Sequence, residues 1–313
     1  MSARILLVFL SVVFISACGN DQASTTDSAA NQLKKKNPIP PETTSTKKEG
    51  YKFRDGLYIE RPSAQALQTD FPYNLDNKVF QTGRIFVYDY IMTRKSGQVV
   101  ICKIVEQKGI PMRKAWTFLP IDQKGEDCIL EHQIRVFNEE NRMLKFLSKK
   151  DLTFVQYRSE TDKGPIKGIS LLGMVENAEN IFLPNPVGRI FNVLQSAPPL
   201  YVKSPRTVGN EYDYTIEVPS KYSDPRWGDW QENEVMNFKY KITDETTIDT
   251  PFGNLPCIEI QASGGGLIGQ SALTTYFNEE YGFVQMTYKN IDGSTMVMKL
   301  TEIRQEDPKQ KIN

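Results

Sequence analysis

Cys128 and His132 offer the most direct chemistry in the chain, and His132 is its only histidine. A thiol beside an imidazole is the pairing of nucleophilic catalysis, with the imidazole taking the proton. The spacing argues against it here. "CILEHQIRVF" reads as a strand, on which residues four apart share a face but stand about 13 Å from each other, too far for proton transfer. A single histidine also excludes a multi-histidine metal site and most nucleophilic triads. Acid–base work would need two carboxylates facing each other across a cleft. The pairs Glu126-Asp127, Glu139-Glu140 and Glu279-Glu280 are adjacent acids of the kind that turns leave solvated. No aspartate-rich calcium loop is present. Gly264-Gly265-Gly266-Leu267-Ile268-Gly269 matches the letters of a dinucleotide fingerprint. A strand, "CIEIQA", precedes it, but no βαβ unit follows, so a hairpin connection or a bulge is expected. The reading is non-enzymatic, with no catalytic residue, no metal and no cofactor.

The elements that would position these residues are strands. "RIFVYDYIM" (84–92) and "QVVICKIVE" (98–106) are aromatic and β-branched, and turn clusters such as "KSG", "DQKG", "TDKG", "FGN" and "IDGS" punctuate the chain about every ten residues. No long helical period appears after the N-terminus, although Leu267 to Tyr281 is ambiguous. Four short matches recur in order: Tyr88-Asp89-Tyr90 with Tyr212-Asp213-Tyr214, Lys103–Glu106 with Lys241–Asp244, Cys128-Ile129 with Cys257-Ile258, and "FNEE" at 137–140 with 277–280. The ordered set predicts two copies of one β-meander, about 80–160 and 207–303. "FNEE" is expected to be a turn in each. The expected fold is all-β: two repeated antiparallel curled-sheet, half-barrel-like units packed together. Between them lies Ile181 to Pro205, whose five prolines exclude a regular central strand and predict a connector.

Two groups of residues could make contacts. Met296 and Met298 alternate on one strand face, and Phe283, Met286 and Tyr288 lie on the preceding strand; methionine adapts to flexible apolar ligands, and it also fills ordinary cores. "YSDPRWGDW" places Trp227 and Trp230 in a Pro/Gly loop, where they would either contact a sugar, lipid or protein or fold back to cap the sheet. Basic and acidic residues balance at 38 each, so no field points at nucleic acid.

The N-terminus decides the address. Arg4 is followed by Ile5 to Ala17 without a charge, a helix of about 20 Å that is too short to span a bilayer. A charged start, a short apolar run and small residues form a secretory signal. Ile15-Ser16-Ala17-Cys18 resembles the lipobox of bacterial lipoproteins. That resemblance implies a diacylglyceryl thioether on Cys18, cleavage before it, acylation of the new amine (palmitate as a typical chain) and a membrane partner held through the lipid. Two or three acyl chains anchor stably. Gly19 is not the aspartate that favours inner-membrane retention in enterobacterial lipoproteins, which leans the reading to the outer membrane. Gly19 to Gly50 has no aromatic residue and is rich in Ser, Thr, Asn, Lys and Pro, so it reads as a disordered tether. The expected organisation is 1–17 signal, 18–50 tether, 51–180 first β unit, 181–206 connector, 207–304 second β unit and 305–313 tail. In an exported chain Cys102, Cys128 and Cys257 allow one disulfide at most and leave a thiol over.

The second unit carries a further resemblance. "PLYVKSPRTVGNEYDYTIEV", "TIDTPFGNLPCIEIQA" and "TTYFNEEYGFVQMTYKNIDG" resemble a pattern in uncharacterised exported bacterial proteins related to half-barrel envelope carriers of lipid; Tyr212 stands where that pattern has tryptophan. The resemblance implies a curled sheet and a lipid ligand. The leading expectation is therefore a lipid-anchored β protein binding an apolar ligand. The alternatives are an interaction subunit of an envelope complex, docking through Trp227 and Trp230, and a carboxylate-dependent hydrolase.

Overall fold

The computed structural model describes residues 51–54, 57–60, 77–105, 115–137, 153–166 and 170–306. Cys18, the signal, the tether and Glu139-Glu140 lie outside the described residues. In chain order the strands are β1 (Tyr51–Arg54), β2 (Leu57–Glu60), β3 (Arg84–Thr93), β4 (Val99–Ile104), β5 (Trp116–Pro120), β6 (Glu131–Phe137), β7 (Thr153–Thr161), β8 (Gly164–Pro165), β9 (Ser170–Glu176), β10 (Asn180–Leu183), β11 (Leu200–Lys203), β12 (Glu211–Val218), β13 (Glu234–Thr250), β14 (Gly253–Gly266), β15 (Gly269–Asn278), β16 (Gly282–Lys289) and β17 (Thr295–Gln305). β1 and β2 form a hairpin of their own. The others make one antiparallel, nearly closed sheet in the order β11-β10-β9-β7-β6-β3-β17-β16-β15-β14-β13-β12, with β4, β5 and β8 paired beside it.

Strict alternation builds the second half. Met236, Phe238, Tyr240 and Ile242 of β13 are buried, while Val235, Asn237, Lys239 and Lys241 between them are exposed, because successive side chains leave opposite faces of a strand. Bulges between Ile242 and Asp244 and between Tyr276 and Phe277 add twist, which curls the sheet round its buried face. The all-β expectation holds. The two expected units share one sheet, joined edge to edge by the β3–β17 ladder from Arg84↔Gln305 to Thr93↔Thr295. Their internal pairings differ: β12 to β17 is a plain meander, whereas β6 returns to pair with β3. The second "FNEE" ends β15 and enters a turn, as expected.

The expected connector is a correction. Segment 181–206 holds most of β10 and all of β11, and β10 is an interior strand paired on both sides. The five prolines stand outside these four-residue strands and remove no ladder donor, so their density says nothing against the strands between them. Pro184 to Pro199 then turns into the concavity of the sheet as a 3-10 segment, Arg189–Ser196. Ile190, Phe191, Val193 and Leu194 are fully buried there.

The sheet's two end strands, β11 and β12, meet through side chains. The Tyr212 hydroxyl donates to the Tyr201 carbonyl at 2.7 Å, and Asn210 Nδ2 donates to the carbonyls of Lys203 and Pro205. The Tyr201 ring packs edge-on against Tyr212 and Tyr214 at 5.0 and 5.4 Å. Aromatic area thus closes the seam where no backbone ladder does.

Candidate functional site

The interior is occupied by the chain itself. Tyrosines from around the sheet donate to the Pro-rich segment: Tyr157 of β7 to the Pro184 carbonyl, Tyr288 of β16 to Asn185 Oδ1 at 3.1 Å, and Tyr240 of β13 to the Pro199 carbonyl at 2.9 Å. Ser271 of β15 donates to the Ser196 carbonyl at 2.7 Å. Asn185 Nδ2 donates to the carbonyls of Leu194 and Ala197 at 2.7 and 2.9 Å, tying the segment to itself. Phe191 inserts between Tyr90 of β3 and His132 of β6, with ring centroids 5.0 and 4.0 Å away. A loop that enters a core must have its polar groups paired, and these hydroxyls pair them.

The candidate nucleophile and base fall inside this packing. His132 Nδ1 meets Ser159 Oγ at 2.9 Å, its ring stacks on Tyr157, and Nε2 has no partner among the described residues. Burial holds the imidazole neutral, with its pKa lowered to about 3. Cys102, Cys128 and Cys257 are buried free thiols. Burial pushes the Cys102 thiol up to about 12 and Cys257 up to about 11, which is opposite to the thiolate a nucleophile needs. Among the described acids, Glu126 and Asp127 share Lys163 on the surface, and Glu279 pairs with Arg206. No group of three His, Cys, Asp or Glu side chains able to hold a metal occurs among the described residues.

Gly264 to Gly266 and Gly269 sit at the β14–β15 hairpin, with Leu267 exposed at its tip. A methyl group at Gly264 would overlap the Asn237 carbonyl, and one at Gly266 the Val235 carbonyl, so close backbone approach accounts for these glycines. Phe283, Met286, Tyr288, Met296 and Met298 are fully buried, with Met286 opposite Met298 and Tyr288 opposite Met296. They belong to the core, and Tyr288 holds the Pro-rich segment through Asn185. A cleft of about 50 Å³ remains where the seam opens, lined by Leu172, Phe182 and Pro184 on one side and Ile216, Val218 and Tyr222 on the other.

A larger concavity, about 380 Å³, lies on the outer face of β12 to β16. The ladder defines two rows across its floor. One runs Asp213, Lys239, Ser263, Ala272, Lys289; the other runs Glu211, Lys241, Gln261, Thr274, Thr287. Lys241 Nζ bonds Glu211 at 2.8 Å, and both side chains are more than half exposed. That hydrogen bond, foremost, holds the Glu211 carboxyl below its usual range.

No family model matches the chain, and no curated protein matches it. Three solved structures are similar. One is a candidate exported protein with a YmcC-like fold from Bacteroides fragilis, at 9% identity and TM-score 0.33, covering 72% of this chain and 97% of that one. A candidate lipoprotein from Parabacteroides distasonis aligns at 10% identity and TM-score 0.36, over 73% of this chain and 100% of the other. The hypothetical lipoprotein YmcC from Escherichia coli aligns at 9% identity and TM-score 0.28, over 74% and 92%.

The tryptophan loop folds back. Trp227 and Trp230 are each 6% exposed, and Trp227 stacks on Trp116 of β5 at 6.0 Å, 16° from parallel. Arg226 lies over the other indole: its guanidinium is 3.5 Å from the Trp116 ring, forks onto Asp224 through Nε (2.7 Å) and Nη2 (2.6 Å), and donates to the Trp116 carbonyl at 3.0 Å. Contact through these indoles would require the loop to open. Arg226→Lys should cost about 1–2 kcal/mol, because an ammonium keeps the charge and loses both the fork and the planar stack. Urea denaturation checks it; a loss under a few tenths of a kcal/mol would mean the clamp contributes charge alone.

The trough was missed in the sequence, although the exposed positions of β13 to β16 were legible as the polar half of each alternation. Which of them line up across strands is set by register. The interior anchor Asn185 was missed because its neighbours were read as a connector.

Proposed function

We propose that this chain is a lipid-anchored protein of the bacterial cell envelope that acts by binding, without covalent chemistry, as an interaction subunit docking through the trough on β12 to β16. The filled interior carries the reading. Among the described residues, the hydroxyls, amides and aromatic rings of the interior are spent on the chain's own Pro184–Pro199 segment and leave no chamber for a substrate, and the 380 Å³ concavity faces outward. The address rests on Ile15-Ser16-Ala17-Cys18, and the outer membrane is the proposed site because Gly19 carries no retention aspartate. The test places a photo-crosslinking residue at Thr274, in the trough, or at Gln98, exposed beyond β3, in cells expressing the full chain. A discrete adduct from Thr274 and none from Gln98 is expected. Equal labelling from both, or none from Thr274, removes the trough as the docking face.

A second reading, binding of an apolar ligand such as lipid, is favoured by the seam cleft, whose lining is mostly apolar, with Asn185, Gln195 and Glu217 among it, and continuous with the Pro-rich segment. Phe283, Met286, Tyr288, Met296 and Met298 would be reached only if that segment moved. Native mass spectrometry before and after solvent extraction decides it: a stoichiometric lipid adduct supports the reading, and an unchanged protein mass counts against it.

A further inference from the structure

We infer that the β13–β14 hairpin takes an extended basic peptide of a partner protein as an added strand along the free edge of β13, with two cationic side chains meeting Glu245 and Asp249. The surface lies beyond the trough and does not depend on it. β13 has 17 residues, but β12 pairs only with Glu234 to Lys241, and main-chain bonds on that side end at Ile242. β15 joins β14 only from Ile258 onward. Between Glu245 and Cys257 the sheet therefore continues as a two-stranded arm, about 17 Å long by strand rise. Two strands alone are marginal, and a third would complete the arm.

The two edges of the arm differ. On β14, Pro256 has no N–H to give and its carbonyl already accepts Asn278 Nδ2 at 2.8 Å, so that edge is closed. On β13, the hairpin closes on Thr250↔Gly253, so Thr246, Ile248 and Thr250 bond β14, and the main-chain groups of Glu245, Thr247 and Asp249 point away from it. Asp244 Oδ1 takes the Glu245 N–H at 2.8 Å. Among the described residues nothing takes the outward groups of Thr247 and Asp249.

Charge decides the partner. Glu245, Thr247 and Asp249 are exposed on one face, and the residues opposite them on β14 are Ile258, Pro256 and Asn254, none of them charged. Neither acid forms an ion pair among the described residues, and Lys241, back along β13, is matched by Glu211. On the other face Asp244 stands opposite Glu259, which adds to the negative field. A second copy of this chain is disfavoured as the added strand. Antiparallel pairing about Thr247 would set Glu245 against Asp249, and like charges directly opposite repel. A strand of the pattern Lys-apolar-x-apolar-Lys fits instead: its lysines stand opposite the acids, and its apolar residues opposite Thr246 and Ile248, on the face where Ile248 meets Leu255.

The probe is the capped heptapeptide Ser-Lys-Val-Thr-Val-Lys-Ser, with Ser-Glu-Val-Thr-Val-Glu-Ser as the acidic control, each added in excess to the detergent-purified full chain. Amide hydrogen exchange along β13 is the readout. The basic peptide is expected to slow exchange of the Thr247 and Asp249 amides by about fivefold or more, and less at high salt. The acidic peptide should leave both amides unchanged. Thr247→Pro removes an outward donor without breaking the ladder to β14, and should abolish the protection of Asp249. In Glu245→Lys/Asp249→Lys the preference should invert, a gain of acidic-peptide binding that misfolding could not produce. No protection by the basic peptide, equal protection by both, or a preference unchanged by the charge reversal would overturn the inference. Protection that rises with protein concentration without peptide would overturn it in favour of self-pairing.

Discussion

Asn185→Ala is expected to lower the stability of the chain by about 2–4 kcal/mol, the largest effect of any single polar substitution argued for this protein. Asn185 is 4% exposed and sits at the entry of the Pro-rich segment. Its amide donates to two carbonyls, and its oxygen accepts the Tyr288 hydroxyl. The Leu194 carbonyl keeps a second donor in the Ala197 amide, so the severe losses fall on the Ala197 carbonyl and the Tyr288 hydroxyl. Each buried group left unpaired costs about 1–3 kcal/mol. Asn185→Asp separates the causes: it retains an acceptor for Tyr288 and loses both donations, so it should be at least as damaging as alanine. The measurement is the urea midpoint at constant slope. A midpoint unchanged in both variants would mean that the segment is not held by this side chain and that the interior is less committed to its own chain than its hydrogen bonds indicate.

The second large effect is an acid instability with a single owner. His132 is fully buried, and burial lowers its pKa to about 3, against 6.5 in a solvated imidazole. Below pH 6.5 the unfolded chain binds a proton there that the folded chain refuses, so stability is complete above that pH and is lost as pH falls toward 3. The loss should reach about 2 kcal/mol by pH 5 and continue at about 1.4 kcal/mol per unit. The window is clean because the chain has one histidine. Glu211 and Glu302 are held below the usual carboxylate range, chiefly by hydrogen bonds from Lys241 and Arg304, so their contributions disappear at lower pH. Denaturation midpoints from pH 7.5 to 5 should slope in the natural protein and flatten in His132→Gln. A slope that survives in the variant would assign the acid sensitivity to another group.

The alternation of buried and exposed residues along strands such as β13 and β17 is a local property, and the sequence by itself determined it. Tyr88, Tyr240, Met286, Met298 and Tyr288 were readable as inward because one polar neighbour follows each apolar one, and antiparallel β structure followed from turn clusters at short intervals. The glycine run was readable as a hairpin connection or a bulge because no βαβ unit follows it. The rejection of a Cys128–His132 pair also needed only strand geometry.

Tertiary structure decided the rest, because it depends on pairings that are distant in sequence. Closing the halves into one sheet required β3 to choose β17, more than 200 residues away, and local patterns carry no register between such strands. The same register lined up Asp213, Lys239, Ser263, Ala272 and Lys289 across five strands and so made a trough from residues that are merely polar in the sequence. The Pro-rich segment held one signal that went unused: between Glu179 and Lys203 only Arg189 is charged, and so apolar a stretch is poorly suited to a surface connector. Its destination was still not local information. An apolar loop can be buried only if its backbone carbonyls find donors, and those donors include the tyrosine hydroxyls of β7 and β13 and the Ser271 hydroxyl of β15, which the completed sheet alone brings to one place.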